Sequence, residues 1–171
     1  FLTDGIQIDE FSVNGQVMPW ATFDAILPFE TVKLVPLPQA LMPGESTTFT
    51  FKWHYDVGLE YNREGVFDPT TFFIGYFFPR IATYSDTDAG LLSGWDLEEY
   101  TYRSGRELHN DFGDFTYSVT VPKNFLVWGT GELQNPDEVL QPEAAQRLLE
   151  SRTSDEIINI ASLDDLQQGL I

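Results

Sequence analysis

The sequence predicts a mainly β fold, an antiparallel β-sandwich with a short helical segment near its carboxyl end. An Asn-Gly pair at 14–15 separates two apolar runs, which is the strongest short-range signal for a hairpin. Apolar and polar residues alternate over 47–57, as in a strand with one packed and one wet face. After Asn135-Pro136 the composition changes, and 142–151 has the pattern of a helix.

The amino-terminal strands are separated by recognisable turn residues. Residues 6–13 (IQIDEFSV) and 31–35 (TVKLV) predict strands. Pro43-Gly44 fits the centre of a type II turn, because proline presets φ and glycine accepts a positive φ. The following strand, 47–57, indicates an antiparallel sheet that is packed on one face only. Its inward residues are Phe49, Phe51, Trp53, Tyr55 and Val57.

The aromatic run 70–84 (TTFFIGYFFPRIATY) is almost continuously apolar. Such a run is typical of a segment that is buried on both faces or covered by a partner. Two further strands are expected to pair with each other, 114–121 (DFTYSVTV) and 125–133 (FLVWGTGEL). The residues of the first that we expect to face inward are Phe115, Tyr117, Val119 and Val121, and the first three of these are expected to share a core with strand 47–57.

The carboxyl-terminal segment is expected to contain helices. Proline at the first helical position and a carboxylate in the first turn predict a helix over 142–151. Ser162 and Asp165 stand at the spacing of a capping box and predict a second short helix that ends near Gly169. Between these helices, 156–160 (EIINI) predicts a short strand.

The composition fits one globular domain, with a length of 171 residues and a hydrophobic share of 42% that suffice for a core. We expect a β-sandwich over 1–135 and a helix-containing extension over 136–171, in a domain truncated at both ends. The formal net charge of −18 repels phosphate backbones, so we expect no nucleic-acid partner. No apolar run approaches the ~20 residues that span a bilayer.

Residues that carry chemistry are few. The chain has no Cys and two His, His54 and His109. A catalytic zinc needs three protein ligands, and a Ser or Cys nucleophile needs a histidine base. We therefore expect no catalytic residue and no metal site in this chain, and a solvated His54 on the wet face of its strand. The paired carboxylates, which fit a solvating surface better than a Ca²⁺ or glycosidase site, are Asp86/Asp88, Glu98/Glu99 and Asp111/Asp114.

Three long segments share their residue pattern with a known protein family. They are FFIGYFFPRIATYSD (72–86), GWDLEEYTYRSGRELHNDFGDFTYSVTVP (94–122) and FLVWGTGELQNPDEVL (125–140). These segments resemble part of the bacterial M1-family zinc metallopeptidases of the Bacteroidetes type. The Asn-Arg-Glu-Gly stretch at 62–65 fits the same pattern, and the resemblance extends over about residues 6–170.

The resemblance implies that this chain is the non-catalytic, amino-terminal β-sandwich domain of an M1-like metallopeptidase, which is a hydrolase of the aminopeptidase type. Such a domain caps the catalytic domain of the same polypeptide and walls the cleft that holds the peptide substrate. The zinc ion belongs to the catalytic domain of the parent enzyme, and this chain alone would not be catalytic. The resemblance implies a bacterial protein, for which a secreted and a periplasmic location both stay open.

The resemblance also points to individual residues. In the family a Glu or Gln of the amino-terminal domain holds the free amine of the substrate, but the corresponding residues here are Ile74-Gly75-Tyr76. This part of the family pattern is therefore absent from the sequence, because none of these three residues has a side-chain carboxylate or amide. Tyr76 and Arg80 are candidates for the rim of the substrate cleft. The candidates for the interface with the catalytic domain are Phe72, Phe73, Phe77 and Phe78.

The alternative hypothesis is a free-standing extracellular module that binds a glycan or a protein through exposed aromatic side chains. Alternation places Trp53 in the packed stripe, whereas Trp95 follows a glycine in a loop and is expected to be exposed. A self-sufficient carboxylate hydrolase ranks last. A His-Glu-x-x-His motif encoded shortly after Ile171 would favour the metallopeptidase hypothesis.

Overall fold

The computed structural model describes residues 3–25, 31–59, 64–75, 77–84, 94–97 and 111–169. The chain divides into two compact units, Phe1–Tyr117 and Ser118–Ile171. The described part of the first unit contains two short antiparallel sheets, and that of the second contains three short helices. Antiparallel sheets followed by carboxyl-terminal helices agree with the sequence prediction, whereas the packing of sheets into a sandwich stays a prediction.

The first sheet has three antiparallel strands in the order β2-β1-β3. They are β1 (Gln7–Val13), β2 (Gln16–Val17) and β3 (Phe49–His54). The predicted hairpin joins β1 to β2, and Asn14 and Gly15 both have positive φ, 49° and 80°. These values are those of a type I′ turn, which Asn-Gly favours because both residues tolerate the left-handed region.

Asn14 also ties the hairpin to the start of β3. Its backbone N–H donates to the carbonyl of Thr48 at 2.8 Å, and its side-chain Oδ1 accepts from the N–H of Thr48 at 2.9 Å. Further along, Gly44 has φ 86°, and the N–H of Glu45 donates to the carbonyl of Met42 at 3.0 Å, which fits the predicted type II turn.

A β-bulge in β1 changes which of its side chains face the core. The pairing with β3 shifts between Ile8 and Glu10, so Asp9 is an extra residue. Strict alternation after Ile8 would bring Glu10 inward. Because the bulge moves the phase by one residue, the inward face resumes at Phe11 and Val13, both of which are buried.

An aromatic cluster around Phe11 forms the core of the first unit. Phe11 is 1% exposed, and its ring lies 4.8 Å from that of Phe51 and 5.3 Å from that of Trp20. A 3₁₀ turn over Trp20–Ala25 brings Trp20 and the buried Phe23 onto the sheet. Other partly buried side chains that pack on this cluster are Ile8, Met18, Val35, Leu37 and Phe49.

The amphipathic character predicted for β3 is confirmed, since its aromatic residues are half-buried and the residues between them are exposed. The strand predicted at 31–35 is wrong. The described residues there form no strand, although Val35 still packs on the core. Pro36 and Pro38 explain the difference, because proline has no N–H for a ladder hydrogen bond.

The second sheet of this unit is a hairpin of two antiparallel strands, β4 (Gly65–Asp68) and β5 (Thr71–Phe73). Its second strand, β5, lies within the aromatic run 70–84 that the sequence singles out, and β4 precedes that run. The backbone N–H of Val66 donates to the carbonyl of Gly58 at 2.8 Å and ties β4 to the preceding segment.

The second unit contains three helices, α1 (Pro136–Val139), α2 (Pro142–Ser151) and α3 (Leu163–Gln168). The predicted helix 142–151 is confirmed to the residue. The predicted capping box is also confirmed: Ser162 Oγ accepts from the N–H of Asp165, and Asp165 Oδ2 accepts from the N–H of Ser162. The core of this unit consists of Leu140, Ala144 and Ala145, with Leu126, Leu133 and Leu148 packed against it.

Three other predicted strands, 114–121, 125–133 and 156–160, are wrong: the structure has no strand in these segments. Phe115 and Val119 are 65% and 52% exposed, and Tyr117 and Val121 are exposed too, so they do not share the core of β3. Alternation predicts which side of a strand is apolar, but a strand also needs a ladder of hydrogen bonds to a neighbouring segment. None of the helices in the described part of the chain has the length and hydrophobicity to cross a bilayer.

Candidate functional site

The residues predicted to form the domain interface begin on the β4–β5 hairpin. Val66 of β4 pairs with Phe72 of β5, and Asp68 pairs with Thr71. Thr71 and Phe72 are consecutive in β5, whereas Phe67 lies between their partners in β4. Phe67 is therefore the extra residue of a β-bulge. The hairpin thus carries Phe67 and Phe72 on adjacent strands.

Asp68 fixes the turn of this hairpin. Its Oδ1 accepts hydrogen bonds from the hydroxyl and the backbone N–H of Thr70, both at 2.7 Å, and its Oδ2 accepts from the hydroxyl of Thr71 at 3.2 Å. The hydroxyl and then the amide of Thr70 lower the pKa of the Asp68 carboxyl, since these bonds favour the ionised form. A charged Asp68 therefore holds the two strands in register at neutral pH.

The hairpin exposes apolar side chains. Phe67 is 61% exposed, Phe72 44%, Phe73 54% and Ile74 54%. Consecutive residues of a strand point to opposite faces, so Phe72 and Phe73 place apolar side chains in water on both faces of the hairpin, as is typical of a segment that contacts a partner. We call Phe67, Phe72, Phe73 and Ile74 the apolar hairpin surface.

Phe77 and Phe78, the other two predicted interface residues, are half-buried. The carbonyl of Phe77 accepts a hydrogen bond from the indole Nε1 of Trp53 at 2.7 Å, which anchors this part of the run to β3. The ring of Phe78 contacts the rings of Phe77 and Phe115 at centroid distances of 5.4 and 5.8 Å. Phe115, expected in the core, instead lies exposed beside Phe78.

Of the two candidates for the cleft rim, the structure describes only Arg80. Tyr76 lies outside the described residues. Arg80 is exposed and follows Phe78 and Pro79 in the chain. The assignment of both residues to a cleft rim stays a prediction, as does that of the four phenylalanines to a domain interface.

A partly buried carboxyl group lies at the base of the hairpin. Burial raises the pKa of Glu64, and burial together with the negative charge of Glu64 raises the pKa of Tyr55. The negative charge of Glu64 therefore acts on the phenol of Tyr55, the residue that directly follows β3. The sequence marks Glu64 only as part of the Asn-Arg-Glu-Gly stretch, because the partial burial of its carboxyl group depends on tertiary packing.

A second group of exposed aromatic residues lies elsewhere in the first unit. The rings of Tyr84 and Trp95 meet edge to face at 5.0 Å, and these residues are 50% and 41% exposed. A backbone hydrogen bond of 2.9 Å from the N–H of Asp96 to the carbonyl of Thr83 holds the two segments together. The prediction that Trp95 is exposed is confirmed.

The histidines and carboxylates form no metal-binding cluster in the part of the chain that the structure describes. His54 Nδ1 lies 3.0 Å from Asp9 Oδ2, and Lys52 Nζ donates to Glu10 Oε2 at 2.9 Å. These pairs lie on the exposed face of the first sheet, where the bulge in β1 presents Asp9 and Glu10 together. His109 lies outside the described residues.

Comparisons with known proteins find no match: no family model, no curated protein and no solved structure is similar to this chain. The M1 resemblance therefore rests on the residues of segments 72–86, 94–122 and 125–140 alone.

Proposed function

We propose that this chain is a non-catalytic β domain that docks on a larger protein through the apolar hairpin surface. The exposure of Phe67, Phe72 and Phe73 carries the proposal, and these residues lie on a hairpin whose turn is closed by hydrogen bonds from Thr70 to Asp68. The residues that resemble M1 metallopeptidases supply the identity of the partner, the catalytic domain of the same polypeptide.

The energy available for docking is appreciable. Burying a Phe side chain completely stabilises a protein by ~1.5–3 kcal/mol. Covering the exposed fractions of Phe67, Phe72 and Phe73 would contribute about 2–5 kcal/mol in total on this scale. An interface within one polypeptide needs no more than this, because the covalent link replaces much of the entropy cost of association.

In this proposal the two antiparallel sheets belong to a β-sandwich that caps the catalytic domain and walls its substrate cleft, with Tyr76 and Arg80 at the rim. The zinc ion and its ligands belong to the catalytic domain. Residues of this chain position the partner and the peptide substrate, and none of them carries a chemical step.

The proposal is tested with the polypeptide that is encoded after Ile171, expressed separately and titrated with this chain by calorimetry. We expect a one-to-one complex and zinc-dependent peptidase activity in the downstream polypeptide alone or in the complex. Phe73→Ser should weaken the complex, whereas Val17→Ser, which changes an apolar residue of the same unit with 67% exposure, should not. Equal weakening by both substitutions, or no complex at all, would contradict docking. A downstream sequence without His-Glu-x-x-His would contradict the metallopeptidase partner.

The second candidate function is a free-standing extracellular binding module, and the Tyr84–Trp95 pair favours it. Two exposed rings in edge contact offer an apolar platform with polar groups at its margin, which suits stacking against a sugar ring. Titration with oligosaccharides, followed by tryptophan fluorescence, tests this function. Trp95→Ala should abolish the response and Trp128→Ala, at another exposed tryptophan, should leave it. An unchanged response in Trp95→Ala would exclude this platform.

A further inference from the structure

Helix α3 is attached to its unit by a charged side chain. Arg147 of α2 donates from Nη1 to Oδ2 of Asp165 at 3.0 Å, and the side chains are only 29% and 19% exposed. The leucines of the same helix are far more accessible, with Leu163 68% and Leu166 54% exposed. The helix therefore directs a carboxylate inward and its leucines outward.

Helical geometry explains why both orientations occur together. Leu163 and Leu166 are three residues apart and lie on one face. At about 100° per residue, Asp165 projects roughly 130° away from the direction midway between these leucines. Because Arg147 draws Asp165 inward, the leucines must point away from α2. This arrangement is the reverse of a usual surface helix, whose apolar stripe faces the core.

The segment that leads into α3 and the first turn of the helix are acidic. Residues 153–169 contain four carboxylates and no Lys or Arg. Asp155, Glu156 and Asp164 are exposed. The whole chain carries a formal charge of −18, so a second copy and a phosphate-bearing partner are both repelled. A partner that matches this surface needs apolar side chains to cover the leucines and basic side chains to meet the carboxylates.

We propose that α3 is a docking site for a cationic amphipathic segment of a partner protein. Apolar side chains of that segment would cover Leu163 and Leu166, and its Lys or Arg residues would meet the carboxylates of Asp155, Glu156 and Asp164. Helix-in-groove recognition of this kind depends on a few apolar anchors at helical spacing, with charges that select the partner. This site lies in the second unit and does not depend on the proposed function of the hairpin.

The test uses the full chain and a synthetic amphipathic peptide with leucines on one helical face and lysines on the other. The peptide should bind, and the double substitution Leu163→Ser with Leu166→Ser should weaken binding about tenfold or more, the equivalent of ~1.4 kcal/mol. Val17→Ser, an exposed apolar residue in the first unit, should leave the affinity unchanged. A peptide in which serine replaces leucine should bind weakly to all three proteins.

A second variant separates orientation from composition. Arg147→Gln removes no leucine and no carboxylate, and the capping box with Ser162 remains, but the bond that ties Asp165 to α2, and with it the outward leucines, is lost. We expect Arg147→Gln to weaken peptide binding about fivefold or more, and Arg147→Lys to restore part of it. Circular dichroism would confirm that each variant keeps its helices.

Three outcomes would overturn the proposal. The first is equal affinity of the leucine double variant and the original chain, which would mean that charge alone binds the peptide. The second is full binding by Arg147→Gln. The third is self-association of the chain that disappears in the leucine double variant, since the covering segment would then be a second copy.

Discussion

Replacing Phe11 with Ala should destabilise the first unit more than any other truncation of a single aromatic side chain that we describe. Among the residues that the structure describes, Phe11 is the largest side chain that is fully buried, at 1% exposure, and its ring contacts four others. Those rings belong to Trp20, Phe23, Phe49 and Phe51, with centroids 4.8–6.0 Å away.

The magnitude follows from area and from cavity formation. A buried aromatic side chain removes ~150–250 Å² from water, which is worth roughly 4–6 kcal/mol at ~25 cal/mol per Å². Part of the lost area belongs to the Cβ that Ala retains, and measured Phe→Ala losses in cores are ~3–5 kcal/mol. We therefore expect a loss of about 4 kcal/mol in the free energy of unfolding, a large share of the ~5–15 kcal/mol typical of a domain.

Urea unfolding followed by tryptophan fluorescence measures this loss, because Trp20 contacts the ring directly. Phe67→Ala is the matched control. Its side chain is 61% exposed, so we expect a change below about 1 kcal/mol. Equal losses for Phe11→Ala and Phe67→Ala would refute the register of β1 and with it the bulge at Asp9.

Three further predictions concern anchors in the fold. Trp53→Ala should cost about 1–3 kcal/mol, less than Phe11→Ala, because Trp53 is only half-buried and its indole makes one hydrogen bond to Phe77; urea unfolding measures this. Asn14→Ala should cost about 1–2 kcal/mol in the same assay, since it removes the bond to Thr48 and places a Cβ residue at φ 49°, whereas Asn14→Gly loses only the bond. Hydrogen bonds from Ser162 and Arg147 hold the pKa of Asp165 at about 2, below the ordinary 3.8. The stabilisation that the ionised carboxylate gives to α3 is therefore complete above pH 3.8 and is lost as the pH falls towards 2. Circular dichroism of the helices should show that Asp165→Asn removes this acid-dependent step.

Local turn and cap chemistry could be predicted from the sequence. The Asn14-Gly15 turn, the Gly44 turn and the Ser162 capping box all depend on residues within four positions of one another. Backbone φ and a single short hydrogen bond decide each of them, and both follow from residue type. The same is true of α2, whose bounds agree with the prediction because Pro142 fixes its start.

Long-range pairing could not be predicted in the same way. The bulge at Asp9 accommodates two consecutive polar residues in β1. The sequence alone does not say whether the side chain of Glu10 faces inward or a β-bulge shifts the alternation by one residue. The pairing of β1 with β3 decides this, across a separation of more than 30 residues. The prediction for 114–121 fails for the same reason, because apolar and polar residues alternate in this segment but the described structure supplies no ladder of hydrogen bonds to a neighbouring strand.

Half of the candidate site followed from the sequence. The aromatic run drew attention to Phe72 and Phe73 because a segment covered by a partner is apolar on both faces. Phe67 was missed, because only the bulge in β4 shows that it stands outside regular pairing. The outward leucines of α3 were missed because their direction depends on Arg147, which lies 18 residues from its partner Asp165.

Segment 114–121 and the β4–β5 hairpin both expose aromatic side chains that the sequence pattern predicts to be buried. Phe115 belongs to an alternating pattern that is typical of a strand with one buried face, yet it is 65% exposed. Phe72 and Phe73 have the same conflict between composition and surroundings. Phe78, half-buried, contacts Phe115 and follows the hairpin within the same run. Exposed apolar side chains of this kind favour a covering partner, and they support the docking that we propose independently of the partner's identity.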